Sequence, residues 1–243
     1  AALEQEQLDD KEEGLLEHPE LAHLNQDQYE IEEVEEETSK KTAIYGKIEI
    51  PDEKELKEKT RGLDENQRKV VDTVVKYCRD IVKAREPGNS LPEPEHMMVH
   101  GAAGTGKSTV IILCAQWAQK SLQTVGSDLD KPLLLKTAFM GTAAANIGGQ
   151  TLSSTFSMKF GNEYHGLGDR NRDLKRRAME HLKILIIDEI SMVKADMLYQ
   201  LDLILKEITQ RHKKPYGGVM VMAFGDAFQL PPVLGRAPFR EPQ

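Results

Sequence analysis

His96-Met-Met-Val-His-Gly101-Ala-Ala-Gly104-Thr105-Gly106-Lys107-Ser108-Thr109-Val-Ile-Ile112 is the stretch that decides the fold. A short apolar run (Met97, Met98, Val99) leads into a glycine-rich turn. An apolar segment of helical character, Thr109 to Ala118, follows it. Strand, glycine loop and helix with G-x-x-x-x-G-K-[ST] spacing make a P-loop. The loop must wrap a phosphate with its backbone N–H groups, and a Cβ would block that approach or the turns it needs. A helix beginning near Lys107 points its positive dipole end at the same anion. Gly101, Gly104, Thr105, Gly106, Lys107, Ser108 and Thr109 are therefore the expected nucleotide-binding residues. Lys107 supplies a point charge for the β- and γ-phosphates, and the Ser108 hydroxyl is placed to ligate Mg²⁺.

Downstream, Lys183-Ile-Leu-Ile-Ile-Asp188-Glu189-Ile-Ser-Met192 carries the second motif. Four apolar residues followed by Asp-Glu fit a strand buried on both faces that ends at its carboxyl edge. Ligands of open α/β sheets sit at that edge. Asp188 is then the expected metal ligand, directly or through water, and Glu189 the group that polarises attacking water. Two acids at a strand end would alone mean little; the P-loop upstream gives them a partner. A third strand, Gly218 to Phe224, ends in Gly225-Asp226-Ala-Phe-Gln229-Leu-Pro-Pro-Val233. Gln229 offers a neutral amide that can sense a γ-phosphate without neutralising the metal.

Charge is unevenly spread. The 243 residues total −8, but residues 1–60 hold 20 acidic and 7 basic side chains, a net −13, which leaves +5 for the rest. The motif-bearing part is mildly basic, as a protein that meets nucleic acid needs. Residues 1–42 contain too few apolar side chains to bury a face and are expected to be disordered or loosely helical; Glu32 to Glu37 is their densest run. An acidic segment spanning 1–60 and a folded lobe spanning 61–243 follow as the domain plan. No apolar run is long enough for a transmembrane helix, and the acidic N-terminus has no h-region, so an intracellular protein, neither secreted nor membrane-bound, is expected. Cys78 and Cys114 fall in expected helices and read as reduced core thiols.

Elsewhere the pattern is coarser. Ala43 to Pro51 alternates weakly and suggests a short strand. Asp64 with Gln67 three residues on reads as a capping box. It opens a helix that buries Val70, Val71, Val74, Val75, Cys78, Ile81 and Val82 at the 3.6-residue period. Pro132 to Ala138 reads as a buried strand. Phe139 to Phe156 is rich in glycine and small residues, which implies close packing or close approach to a ligand. Arg170, Arg172, Lys175, Arg176 and Arg177 form a basic cluster, either an exposed helix face or a phosphate-backbone contact. Met197, Leu198, Leu201, Leu203, Ile204 and Ile208 mark an amphipathic helix.

In this order, GAAGTGKS (101–108), LIIDEISMV (185–193) and FGDAFQLPPV (224–233) resemble a superfamily-one DNA helicase of the Pif type (petite integration frequency), most of all the versions carried by Helitron-like mobile elements. The segment around Gln67 is similar to that family's adenine-reading Q motif. TAFMGTAAANIGGQT (137–151) is similar to its motif Ia, which lines the single-strand path, with Met140 in place of the usual Thr and Ser153 in place of the His of the mobile-element versions. The resemblance implies an α/β P-loop NTPase whose RecA-like parallel sheet carries helices on both faces. It implies an ATP-driven motor with Mg²⁺ that moves 5′ to 3′ on single-stranded DNA and opens duplex junctions, in DNA repair, recombination, telomere maintenance or transposition, with the nucleus as its compartment. By motif, Lys107 and Ser108 bind phosphates and metal, Asp188 holds Mg²⁺, Glu189 is the catalytic carboxylate, Gln229 couples the γ-phosphate to DNA and Gln67 contacts adenine. Motifs that the family places after the third, an arginine finger among them, have no counterpart here. One lobe of two is therefore expected, as a fragment of an active helicase or as a non-enzymatic nucleotide- or DNA-binding remnant.

Overall fold

A computed structural model of the chain describes residues 48, 50–123, 131–158, 164–226 and 228. The acidic residues 1–47, most of the strand expected over Ala43 to Pro51, and Gln229 lie outside the described residues; Ile48, Ile50 and Pro51 carry no strand. Five strands form the sheet: β1 (Met97–His100), β2 (Leu134–Ala138), β3 (Gln150–Thr151), β4 (Ile184–Asp188) and β5 (Met220–Gly225). All pairings are parallel and the order is β1-β5-β4-β2-β3.

Among the described residues, seven α-helices accompany these strands: α1 (Glu53–Arg61), α2 (Glu65–Lys83), α3 (Lys107–Leu122), α4 (Gly141–Asn146), α5 (Leu152–Phe156), α6 (Asp169–Ala178) and α7 (Ala195–Thr209). β4 is apolar from Ile184 to Ile187 and β5 from Met220 to Phe224 because both faces of the sheet are covered there. Their alternation then sorts side chains into two layers. Ile184, Ile186, Met220, Met222 and Phe224 point into a core shared with α1, α2 and α3. Leu185, Ile187 and Val221 point the other way, against α5 and α7. The architecture is the α/β RecA-like lobe with helices on both faces. Among the described residues no helix is long and apolar enough to cross a membrane.

Local rules explain most helix ends. The α2 capping box forms as expected: Asp64 Oδ1 accepts from the Asn66 and Gln67 N–H groups, and Gln67 Oε1 accepts from the Asp64 N–H. The buried face of α2 is Val71, Val74, Tyr77, Cys78 and Ile81, while Val82 is exposed. Tyr77, not Val82, completes the stripe, on the side where Pro92, Glu93 and Met220 lie. Both cysteines are buried free thiols, and burial pushes Cys78 up to about 12.

Within the segment 1–60, expected to be acidic and mostly disordered, residues from Glu53 onward are helical. Asp52 caps α1 by accepting from the Glu55 N–H at 2.8 Å. Leu56 is wholly buried, and Trp117 Nε1 on α3 donates to Thr60 Oγ1 at 2.9 Å. One apolar anchor and a cap outweigh an otherwise charged sequence.

Among the small residues between Phe139 and Phe156, Gly149 is a point of close packing. A Cβ on Gly149 would lie 2.2 Å from the Lys136 carbonyl oxygen, so only glycine lets this turn meet β2 and start β3. The α6 cations are mostly engaged within the fold. Arg172 pairs with Glu207 and Asp169, Lys175 donates to the Thr155 carbonyl at 2.8 Å, and Arg176 donates to the Glu207 carbonyl at 3.2 Å. Burial opposes ionisation of Glu207, but hydrogen bonds from Tyr164, the Leu167 N–H and Arg172 outweigh it and hold the carboxyl below its ordinary value.

Candidate functional site

The carboxyl ends of β1, β4 and β5 bring the three motifs to one edge of the sheet. Residues 101–106 form the loop that leaves β1, and the Gly101 N–H donates to the Gly225 carbonyl at 3.1 Å, tying the loop's base to the end of β5. Gly104 and Gly106 have φ of 77° and 75°, the left-handed region that favours glycine. Gly106 is the N-cap of α3 and no side chain caps that helix, so its first-turn N–H groups remain open to an anion. α3 is buried nearly all round by Val110, Ile111, Leu113, Cys114, Ala115 and Ala118, which fixes the direction of its dipole.

Lys107 is folded back on the loop. Its Nζ donates to the Gly101 carbonyl at 2.7 Å and the Ala102 carbonyl at 2.9 Å. Thr105 Oγ1 also donates to the Ala102 carbonyl, at 2.8 Å. Ser108 and Thr109 are exposed in the first turn of α3.

Across the edge, Asp188 is the last residue of β4 and is buried, 5 % exposed. Burial raises its pKa, while the Glu189 N–H, which donates to Oδ1 at 2.9 Å, and the positive charge of Lys107 act in the opposite direction. Electrostatically, then, the loop ammonium and the strand-end carboxylate share one site. Glu189 follows at φ 52°, ψ 47°, a left-handed conformation that a non-glycine residue adopts at a cost. The tight turn Ile190–Met192 comes directly after it. A buried carboxylate with one N–H donor, an exposed serine hydroxyl, open helix N–H groups and a lysine form the donor set that a Mg²⁺–polyphosphate requires.

Gln67 lies against the loop. Its Nε2 donates to the Thr105 carbonyl at 2.9 Å, while its Oε1 is held by the α2 cap. Asp226 leaves β5 beside the P-loop strand, its Oδ1 3.8 Å from His100 Nδ1, and accepts from the Phe228 N–H at 3.0 Å. Met140, exposed, heads α4 at the carboxyl end of β2.

Three supporting side chains lie within or beside the motifs, yet the motifs alone assign them no role. Thr137 Oγ1, fully buried on β2, donates to the Ile186 carbonyl at 2.8 Å and braces the strand that ends in Asp188. Ser191 Oγ is buried in the turn after Glu189 with no hydrogen-bond partner among the described residues. His100 gains its place only through the β1–β5 pairing. Each depends on long-range register, which local patterning does not carry.

Comparison with known proteins agrees with this arrangement. A family model described as PIF1-like helicase matches residues 62–241. The ATP-dependent DNA helicase PIF1 of Saccharomyces cerevisiae (strain YJM789) is 31 % identical over 214 residues, covering 84 % of this chain and 23 % of that protein. The ATP-dependent DNA helicase RRM3 of the same species (strain ATCC 204508 / S288c) is 37 % identical over 136 residues, 55 % of this chain and 18 % of the relative. Among solved structures, that of Pif1 helicase from Candida albicans aligns with a TM-score of 0.53 at 29 % identity, over 73 % of this chain and 36 % of that one. The chain thus spans about a quarter of the length of its curated relative PIF1. With the family match covering the glycine loop, the Asp-Glu strand end and β5 alike, the chain belongs to the PIF1-like helicase family.

Proposed function

We propose that this chain is the nucleotide-binding lobe of an ATP-driven DNA helicase that translocates 5′ to 3′ on single-stranded DNA and opens duplex at junctions. One observation carries the reading: the parallel strands β1, β5 and β4 bring the glycine loop with Lys107 and the uncapped start of α3 to the same sheet edge as the buried carboxylate of Asp188. In this reading the loop N–H groups and Lys107 hold the β- and γ-phosphates. Ser108 and Asp188 hold Mg²⁺, which when bound neutralises charge on the phosphate oxygens. Glu189 orients and deprotonates the attacking water, aided by the turn that aims it. Gln229 senses the γ-phosphate, and Gln67 reads adenine from beside the loop. Single-stranded DNA runs over the edge that carries Met140 and α4. Named relatives are yeast DNA helicases, so the proposed setting is DNA repair, recombination, telomere maintenance or transposition in the nucleus.

Binding of a fluorescent ATP analogue with Mg²⁺, followed by turnover with and without single-stranded DNA, tests the assignment. Lys107→Ala removes a charge-assisted contact of about 1.5–3 kcal/mol, so affinity falls roughly 10- to 100-fold. Glu189→Gln keeps binding and loses turnover. Undiminished affinity in Lys107→Ala would sink the nucleotide assignment, and normal turnover in Glu189→Gln would overturn the role of Glu189.

A further inference from the structure

At the opposite edge of the sheet, beneath the amino ends of β4 and β5, lies a second cavity of about 360 Å³. It is a full strand length from the nucleotide edge, about 17 Å for five residues. Its volume falls within the range of small-ligand sites. Four cations line it: Arg176 and Arg177 from the end of α6, Lys183 just before β4, and Arg211 just after α7. Leu182 and Ile208 supply apolar wall.

The bland explanation is that these cations serve the carboxyl ends of α6 and α7, which point at the same place. Magnitudes argue against its sufficiency. Each helix end is worth about half a negative charge, so the two and Glu180 together offset about two of the four cations. Glu180 is itself shared with Lys131 outside the cavity, at 2.8 Å. Arg176 is held by the Glu207 carbonyl and faces the exposed Asp173 at 3.5 Å. Arg177, Lys183 and Arg211 have no ion pair or side-chain hydrogen bond among the described residues. Lys183 is half-buried, and burial together with Arg211 and Arg85 holds its pKa below the ordinary value. The half-buried Lys183 and the exposed Arg177 and Arg211 share this cavity with Glu180 as its one described acid, so the lining keeps a net positive charge that suits an anion.

We propose that this cavity binds a phosphate group, independently of the P-loop, through Arg177, Lys183 and Arg211. Guanidinium forks suit phosphate oxygens, and the apolar wall accommodates the sugar or base attached to them. The phosphate can belong to a nucleic-acid backbone or to a free phosphate compound, and two titrations separate these sources. Both use the full 243-residue chain carrying Lys107→Ala, so that the P-loop does not contribute.

In the first, a fluorescein-labelled single-stranded oligonucleotide is titrated across a KCl series by anisotropy. In the second, inorganic phosphate is titrated by calorimetry. Each is repeated with Arg177→Glu/Arg211→Glu, both exposed positions, and with the milder Arg177→Gln/Arg211→Gln. Circular dichroism verifies folding. A backbone phosphate predicts roughly tenfold weaker oligonucleotide binding and a salt slope shallower by about 0.7 for each phosphate no longer neutralised. A free phosphate compound predicts loss of the inorganic phosphate isotherm with oligonucleotide binding unchanged. If both titrations are the same in the charge-reversed, the neutralised and the parent chains, the site does not exist.

Discussion

Replacing Glu189 with glycine and, separately, with alanine separates backbone strain from chemistry at this position. Glu189 stands at φ 52°, ψ 47°. A left-handed conformation costs an L-residue about 1–2 kcal/mol, a penalty alanine shares and glycine escapes. Glycine gives back about 0.4–1 kcal/mol through the extra freedom of its unfolded chain. The main-chain bonds of the turn survive in both variants: the residue 189 N–H still donates to Asp188 Oδ1, and its carbonyl still accepts from the Met192 N–H at 3.1 Å. The balance leaves Glu189→Gly more stable than Glu189→Ala by about 0.5–1 kcal/mol. For a domain of this size that corresponds to a Tm about 1–4 °C higher. Scanning calorimetry of the two variants side by side reads the difference, and both should lack nucleotide turnover. A glycine variant no more stable than the alanine variant would refute the premise that this turn stores strain to aim a carboxylate.

Two further outcomes follow from the same geometry. Glu207 is held below its ordinary value of 4.5, so it binds fewer protons folded than unfolded near that pH, and its stabilising contribution is lost as pH falls through the folded value. Glu207→Gln should therefore lower Tm at pH 7, by a deficit that narrows in thermal melts taken below pH 4.5; a constant deficit would contradict the linkage. Gly225→Ala places a Cβ 2.9 Å from Ile190 Cγ2 and 3.1 Å from the Ile190 nitrogen, so the turn that carries Glu189 must shift. Overpacking of this kind costs about 1–3 kcal/mol. Urea unfolding measures the loss, and an unchanged midpoint would show that the turn yields freely.

Elements with a local code were legible in the sequence. The glycine loop, the capping box at Asp64 and Gln67, and the uninterrupted apolar runs of β4 and β5 each follow from a rule that a short window satisfies. What was illegible depended on distant partners. β3 is two residues long and exists because Gly149 lets the chain press against the Lys136 carbonyl. α1 looks like solvated charge until Leu56 and Thr60 meet α3. On α7, Leu205 is fully buried against the layer that holds Leu201 and Ile204, whereas Leu198 and Leu203 are half-exposed. In sequence the α6 cations could be an exposed helix face or a phosphate-backbone contact, and neither alternative shows that Arg172 and Arg176 are spent on Glu207. For the candidate site, the chemistry was legible residue by residue. The supporting hydroxyl of Thr137 was not, because it depends on β2 lying beside β4.

The strand order has a mechanical consequence. β1 delivers the phosphate loop and β4 delivers the carboxylates, yet the two never touch: β5 is interposed. Two interstrand steps of about 4.8 Å fix their separation near 10 Å, and that interval is set by main-chain hydrogen bonds rather than by side-chain size. Substitutions that thicken or thin the apolar layers push helices along the sheet normal, at right angles to this gap. The working distance of the machine is thereby insulated from drift in its own interior, and a lineage can exchange its core residues freely while the interval between cradle and carboxylate holds.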